Sequence, residues 1–238
     1  NIKFATITAY DFTSAQIVDK SNIPLILVGD SASMMVFGYS TTLPVNMEEM
    51  LFTIKAVARG TKNALVVADM PFLSYQSSIE EAISNAGRML KEGNAGAVKL
   101  EGGVQIQKHI ASLVESGIPV LGHIGLTPQS INQMSGYKIQ GKTHDDAKKI
   151  IKDAVAVQNA GAFGVVLECI PNALALEITN QLDIPTIGIG SGNVCDGQIQ
   201  VYHDILGLSL NNPPKHAMQY KTLHKEILDA LVQYKKDV

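Results

Sequence analysis

The 238-residue chain has no tryptophan and only two cysteines, Cys169 and Cys195. Their placement matches no metal-ligand spacing, so structural zinc would lack its usual thiolates. In a chain expected to be cytoplasmic, the two thiols read as packing residues rather than a disulfide. Long apolar runs are missing as well, and none approaches the roughly 20 residues that a membrane-spanning helix needs. Charge of one sign is scarce. The formal net charge is only -3, so nothing draws the whole protein to nucleic acid or to an anionic membrane. No signal peptide is visible, and the chain starts at Asn1 without a methionine, which leaves room for an upstream segment. Linkers and low-complexity stretches are absent too.

What is present is a rhythm. Short apolar runs fall at residues 2 to 11, 24 to 31, 63 to 71, 96 to 103, 118 to 126, 163 to 171, 184 to 192 and 199 to 207. Amphipathic stretches such as MEEMLFTIKAVARG and SIEEAISNAGRMLKEG lie between them. Ser78 with Glu81, and Asn46 with Glu49, have the spacing of a helix-capping box. Gly60, Gly93, Gly117 and Gly161 stand where helices should end, which suits a left-handed closing residue. Eight such units of roughly 30 residues make the rhythm of a single-domain (β/α)₈ barrel. A doubly wound open sheet competes, but it would normally carry a phosphate-binding glycine fingerprint after its first strand. Here that strand ends in AYD. Two segments break the pattern. Residues 127 to 146 form a long polar loop expected over the C-terminal face of the barrel, either functional or a plain surface excursion. NNPPKH, 211 to 216, reads as a turn before the last helix.

The run LILVGDS is apolar enough to be buried on both faces, yet it stops on Asp30 and Ser31. An ionised carboxylate there costs several kcal/mol unless something pairs it. The same happens elsewhere. The C-terminal ends of the expected strands carry Tyr10 and Asp11, Asp30 and Ser31, Asp69, Lys99 and Glu101, His123, Glu168, Ser191, and His203 with Asp204. Strand ends are often polar merely because loops follow. That explains poorly why VVADMPF, AVKLEGG and VVLECIP set acids among apolar neighbours, and a shared site explains it better. Asp30, Asp69, Glu101 and Glu168 cannot converge uncompensated. Hard oxygen donors, no cysteine and one histidine favour Mg²⁺ over Zn²⁺. Lys99 and Glu101 share one face of an alternating strand, so both can point inward. His123 alone could equally be a satisfied core histidine. The glycines of GIGSG, 188 to 192, suit either backbone phosphate binding or a tight turn.

At these residues the sequence resembles the ketopantoate hydroxymethyltransferase family. The stretches that carry the resemblance are VGDS, TTLPV, ADMPF, VKLEGG, GHIGLTPQS, GYKIQG, LECIP and IGIGSGNVCDGQ. They run in order over nearly the whole chain. The resemblance implies a (β/α)₈ barrel that moves a hydroxymethyl group from 5,10-methylenetetrahydrofolate to 3-methyl-2-oxobutanoate, giving ketopantoate through a Mg²⁺-stabilised enolate. It implies one Mg²⁺ per subunit at Asp30, Asp69 and Glu101, with Asp30 and Asp69 also near the substrate. Ser31 and Lys99 would bind substrate, His123 would contact its oxygens, and Glu168 would be the general base. The partners implied are a keto acid, a folate and further copies of the chain in a homodecamer (a pentamer of dimers), with no nucleic acid and no membrane. Compared with the family, the chain lacks most of the leader before the first strand and the short C-terminal tail.

Two other functions fit parts of the pattern. A Mg²⁺-enolate lyase or mutase of the isocitrate lyase and phosphoenolpyruvate mutase type would need a KKCGH-like catalytic cysteine, which is absent from the sequence. A non-catalytic metabolite sensor would have no use for Glu168. Apolar residues on more than one face of IIKDAVAVQNAGAF suggest contacts beyond the barrel.

Overall fold

The computed structural model describes residues 2–134 and 136–238. Asn1 and Ser135, the latter inside the long polar loop, lie outside the described residues. Eight parallel strands close into a barrel in sequence order. They are β1 Phe4–Thr8, β2 Leu25–Val28, β3 Leu65–Asp69, β4 Ala97–Glu101, β5 Val120–Gly125, β6 Gly164–Glu168, β7 Thr186–Ile189 and β8 Gly197–Gln200. The chain divides into two compact units, residues 1–199 and 200–238.

Strand alternation explains how the interior is filled. Leu25, Leu27, Val67, Ala97, Leu121, Val166, Ile187 and Ile199 form one buried cluster. Within a strand, every second residue shares a face. Val67 is therefore followed on its face by Asp69, Ala97 by Lys99 and Glu101, Leu121 by His123, and Val166 by Glu168. The apolar plug and the polar rim are consecutive layers of the same strand faces.

Helices cover the outside. In the first unit α1 is Phe12–Lys20, α2 Ala32–Met35, α3 Met47–Gly60, α4 Ile79–Lys91, α5 Gln107–Glu115, α6 His144–Asn159 and α7 Asn172–Gln181. α3 buries Met50, Ile54, Val57 and Ala58, a helical spacing, and Asn46 with Glu49 closes its N-terminus as a full capping box. At α4 the Ser78 hydroxyl accepts from the Glu81 N–H, while the Glu81 carboxylate accepts from Ser77. The box is therefore only half made there. Gly117 and Gly161 are left-handed, at φ 81° and 90°. Gly60 is not. A Cβ on it would lie 2.5 Å from the Phe12 carbonyl oxygen on α1, so close helix approach is what requires this glycine. After α4 the left-handed residue is Asn94, at φ 58°, rather than Gly93.

The long segment is partly structured. Pro128–Ser130 is a 3₁₀ turn, and α6 begins at His144 with Thr143 accepting from the Asp146 N–H. Asp145 and Asp146 are thus first-turn residues of α6, where acids suit the helix dipole. Along α6, Ile150, Ala154, Ala156 and Val157 are buried. Large exposed apolar side chains occur instead on α1 and α3, as Phe12, Ile17 and Phe52.

The eighth strand differs from the sequence expectation. The strand is GQIQ, and Tyr202–Leu206 within 199 to 207 is a helix, α8, closed by left-handed Gly207. A short apolar run does not distinguish strand from helix by itself. His203 and Asp204 therefore stand on a helix and not at a strand end. Within the second unit, α8 is tied to the segment before α9, Leu223–Asp237, by the Tyr220 N–H donating to the Ile205 carbonyl at 2.7 Å. Among the described residues, no helix is long and apolar enough to cross a membrane.

Candidate active site

The site lies at the C-terminal ends of β2 to β6, where barrels of this type place their chemistry. Asp69, Lys99, Glu101 and His123 are each at most 6% exposed. Strand register sets Asp69 opposite Lys99 and Glu101 opposite His123. The Lys99 ammonium lies 2.7 Å from Asp69 Oδ1 and 3.8 Å from Glu101 Oε1. It also sits 3.1 Å from His123 Nδ1. Asp30, one residue beyond the β2 alternation, gives its backbone N–H to Asp69 Oδ2 at 3.0 Å.

Charge balance decides the protonation states. Burial pushes the Asp69 carboxyl up to about 8, and Asp30 adds to the shift while Lys99 opposes it. Glu101 goes well above the usual range for the same leading reason, again against Lys99. Burial works to lower Lys99, but Asp69, Glu101 and Asp30 outweigh it and hold the ammonium charged. His123 falls well below its ordinary value through burial first and Lys99 second. A neutral His123 beside a charged Lys99 must accept at Nδ1, so its proton resides on Nε2. That nitrogen lies 3.1 Å from Glu168 Oε2, off the line of a hydrogen bond. The site holds a neutral donor next to a half-buried carboxylate.

Other residues named from sequence divide. Ser31 follows Asp30 at the end of β2, its Oγ 2.8 Å from the Tyr10 hydroxyl. Asp11 does not, because it caps α1 by accepting from the Thr13 and Ser14 N–H groups. Ser191 is fully buried, 3.9 Å from the Cys195 thiol. Gly190 and Gly192 next to it take φ 64° and 82°, so the turn accounts for these two glycines of GIGSG, while a Cβ on Gly188 would lie 2.7 Å from Ser191 Oγ. Tyr10 was named from the sequence with the other strand-end residues. One participant escaped that reading. Gln129, in the 3₁₀ turn after β5, donates to both Asp30 and the Met70 carbonyl. Its only sequence signal is its place in GHIGLTPQS.

Among the described residues, no three His, Cys, Asp or Glu side chains form a ready cage for a metal ion. The donor set nonetheless fits Mg²⁺, which keeps several waters and usually takes only one or two protein carboxylates. Burial keeps protons on Asp69 and Glu101. With all three acids ionised against the one ammonium, two negative charges would be left over, which a divalent ion would balance. Glu101 Oε1 is buried and accepts no hydrogen bond. Asp30, Asp69 and Glu101 are the residues able to hold such an ion.

Fold and site together define a (β/α)₈-barrel enzyme with a buried cluster of acids, lysine and histidine at the C-terminal ends of its strands. The family model for ketopantoate hydroxymethyltransferase matches residues 1–238. The chain belongs to that family. A relative named 3-methyl-2-oxobutanoate hydroxymethyltransferase from Carboxydothermus hydrogenoformans is 56% identical over 99% of this chain and 86% of its own. One of the same name from Chloroflexus aurantiacus is 55% identical, over 98% and 82%. Among solved structures, a phosphoenolpyruvate phosphomutase from Streptomyces platensis superposes with a TM-score of 0.68 at 12% identity, over 99% of this chain and 83% of that one. The phosphomutase likeness concerns the fold alone.

Proposed function

We propose that this protein transfers a hydroxymethyl group from 5,10-methylenetetrahydrofolate to 3-methyl-2-oxobutanoate, giving ketopantoate, in the first committed step of pantothenate synthesis. The observation that carries the reading is Glu168, 3.1 Å from His123 Nε2 at the open end of the acid and lysine cluster, in a chain of this family. Lys99 and Ser31 hold the substrate carboxylate. His123 donates from Nε2 to the ketone oxygen as negative charge grows there. Glu168 removes the C3 proton. Bound at Asp30, Asp69 and Glu101, Mg²⁺ would act as a Lewis acid toward the 2-oxo acid oxygens. The C3 carbanion equivalent then forms a carbon–carbon bond to the one-carbon unit, and water supplies the hydroxyl as tetrahydrofolate leaves. A cysteine-based lyase reaction is disfavoured by the thiols themselves. Cys195 is buried, and burial with Glu168 pushes the Cys169 thiol up to about 11. A folate-dependent assay with the keto acid tests the proposal, and no ketopantoate formed in the presence of Mg²⁺ would refute it.

Residues 127–146 are proposed to close over the occupied mouth. Tyr137 supports this, because its phenol is raised by partial burial and then by Glu168, Asp30 and Glu101. The segment is also pinned beside the base, with the Gln140 N–H donating to the Cys169 carbonyl at 2.8 Å. Amide hydrogen exchange in this segment should slow when keto acid and Mg²⁺ are both present. Identical exchange with and without them would remove the lid.

The proposed assembly is a homodecamer in the cytoplasm. Exposed Phe12, Ile17 and Phe52 support self-association, and two free thiols suit a reducing compartment. Light scattering should give a mass near ten subunits, and a monomer mass at working concentration would contradict this.

A further inference from the structure

Gln129 has no part in the chemistry above, yet it is bonded into the site through its backbone and through both ends of its side-chain amide. It is 5% exposed and stands at the start of the long segment after β5. Its backbone N–H donates to Glu101 Oε2 at 2.9 Å. Its side-chain Nε2 donates to Asp30 Oδ2 at 3.1 Å and to the Met70 carbonyl at 2.8 Å. Its Oε1 accepts from Gln76 Nε2 at 3.0 Å and lies 2.9 Å from the Tyr75 hydroxyl. An amide has two donor hydrogens and two acceptor positions, and all four are used.

The orientation of the amide follows from its partners. Turned over, Oε1 would face the Asp30 carboxylate and the Met70 carbonyl with no proton between them. Tyr75 fixes the sense further. Its hydroxyl accepts from the Glu101 N–H at 3.1 Å, so its single proton is available to Gln129 Oε1, the nearer of the two acceptors within reach. Gln129 thereby ties together groups at the ends of β2, β3 and β4 from a turn that follows β5. Each carboxylate it holds is engaged through one named oxygen, Oδ2 of Asp30 and Oε2 of Glu101.

We propose that Gln129 is a positioning residue for the metal-binding acids, clamping Asp30 and Glu101 so that both carboxylates face one divalent cation. The inference rests on the proposed function above. Partners in the outer shell of a metal site orient its ligands, and losing one typically costs about 10- to 100-fold in metal affinity. Gln129→Met keeps the side chain's length and the backbone N–H to Glu101, and removes only the amide.

Mg²⁺ binding to the full chain, measured by calorimetry at one pH, tests this, with urea unfolding of the metal-free proteins run alongside. Gln129→Met should bind Mg²⁺ about 10- to 100-fold more weakly than the wild type. Tyr75→Phe, which leaves Gln76 as the donor to Oε1, should show a smaller loss in the same direction. A purely structural role would lower resistance to urea and leave the affinity of the folded protein unchanged, and that result overturns the proposal. If Gln129→Met does not fold, Tyr75→Phe decides, and unchanged affinity in it is equally fatal. Wild-type protein that binds no Mg²⁺ removes the proposed function together with the clamp. Binding that is normal in the wild type and in both variants removes the clamp alone.

Discussion

Glu168→Gln should slow exchange of the C3 hydrogen of 3-methyl-2-oxobutanoate for deuterium by about 10²- to 10⁴-fold, the usual contribution of a general base. The exchange can be followed by NMR in D₂O without folate, because proton removal precedes carbon–carbon bond formation. Substrate binding should survive, since Lys99 and Ser31 remain. Metal-assisted acidification leaves a slow residual rate. Wild-type exchange in the variant would pass the role to another group, His123 first. The geometry speaks against His123 as the base: its Nδ1 is occupied by Lys99 at 3.1 Å, and its Nε2 already carries a proton.

Lys99→Met should destabilise the metal-free protein by about 3–5 kcal/mol near pH 8, the cost of removing one partner from a buried ion pair. The penalty should shrink at lower pH. The sign follows from Asp69. Folded Asp69 keeps its proton up to about 8, whereas an unfolded aspartate releases it near 3.9. The folded form binds more protons between these values, so this contribution to stability is complete below the lower value and lost as pH rises through the upper one. Without Lys99 the acids hold their protons more tightly still, and the loss at high pH deepens. Urea unfolding at pH 6 and pH 8 measures it. Equal penalties at both values would mean that Lys99 does not compensate the acids.

What was legible in the sequence tracks energetic cost. Asp30, Asp69 and Glu101 stand out because an acid in an apolar run is expensive, and alternation then places Lys99 and Glu101 on one inward face. The barrel was legible because eight buried runs recur with helix signals between them. β8 was misplaced because GQIQ alternates glycine and isoleucine with two glutamines, so its buried face offers only two residues, while the more apolar run after it is helical. Gly60 was misread because a packing contact with α1 requires the same residue as a left-handed turn. Gln129 stayed hidden for a different reason. An uncharged amide in a loop raises no electrostatic alarm, and its value lies in four partners scattered from Asp30 to Gln76.

The shared face of β4 has a genetic consequence. Ala97, Lys99 and Glu101 look into the barrel, whereas Val98 and Leu100, both fully buried, look toward the helices. Deleting one codon within the strand reverses that parity for every residue on one side of the cut. The ammonium and the carboxylate would then be pressed under the helical layer while valine and leucine faced the substrate. A two-codon deletion keeps the parity and shortens the strand instead. Length changes that keep the inward face of this strand must therefore come in pairs of residues, a restriction the connecting loops do not share.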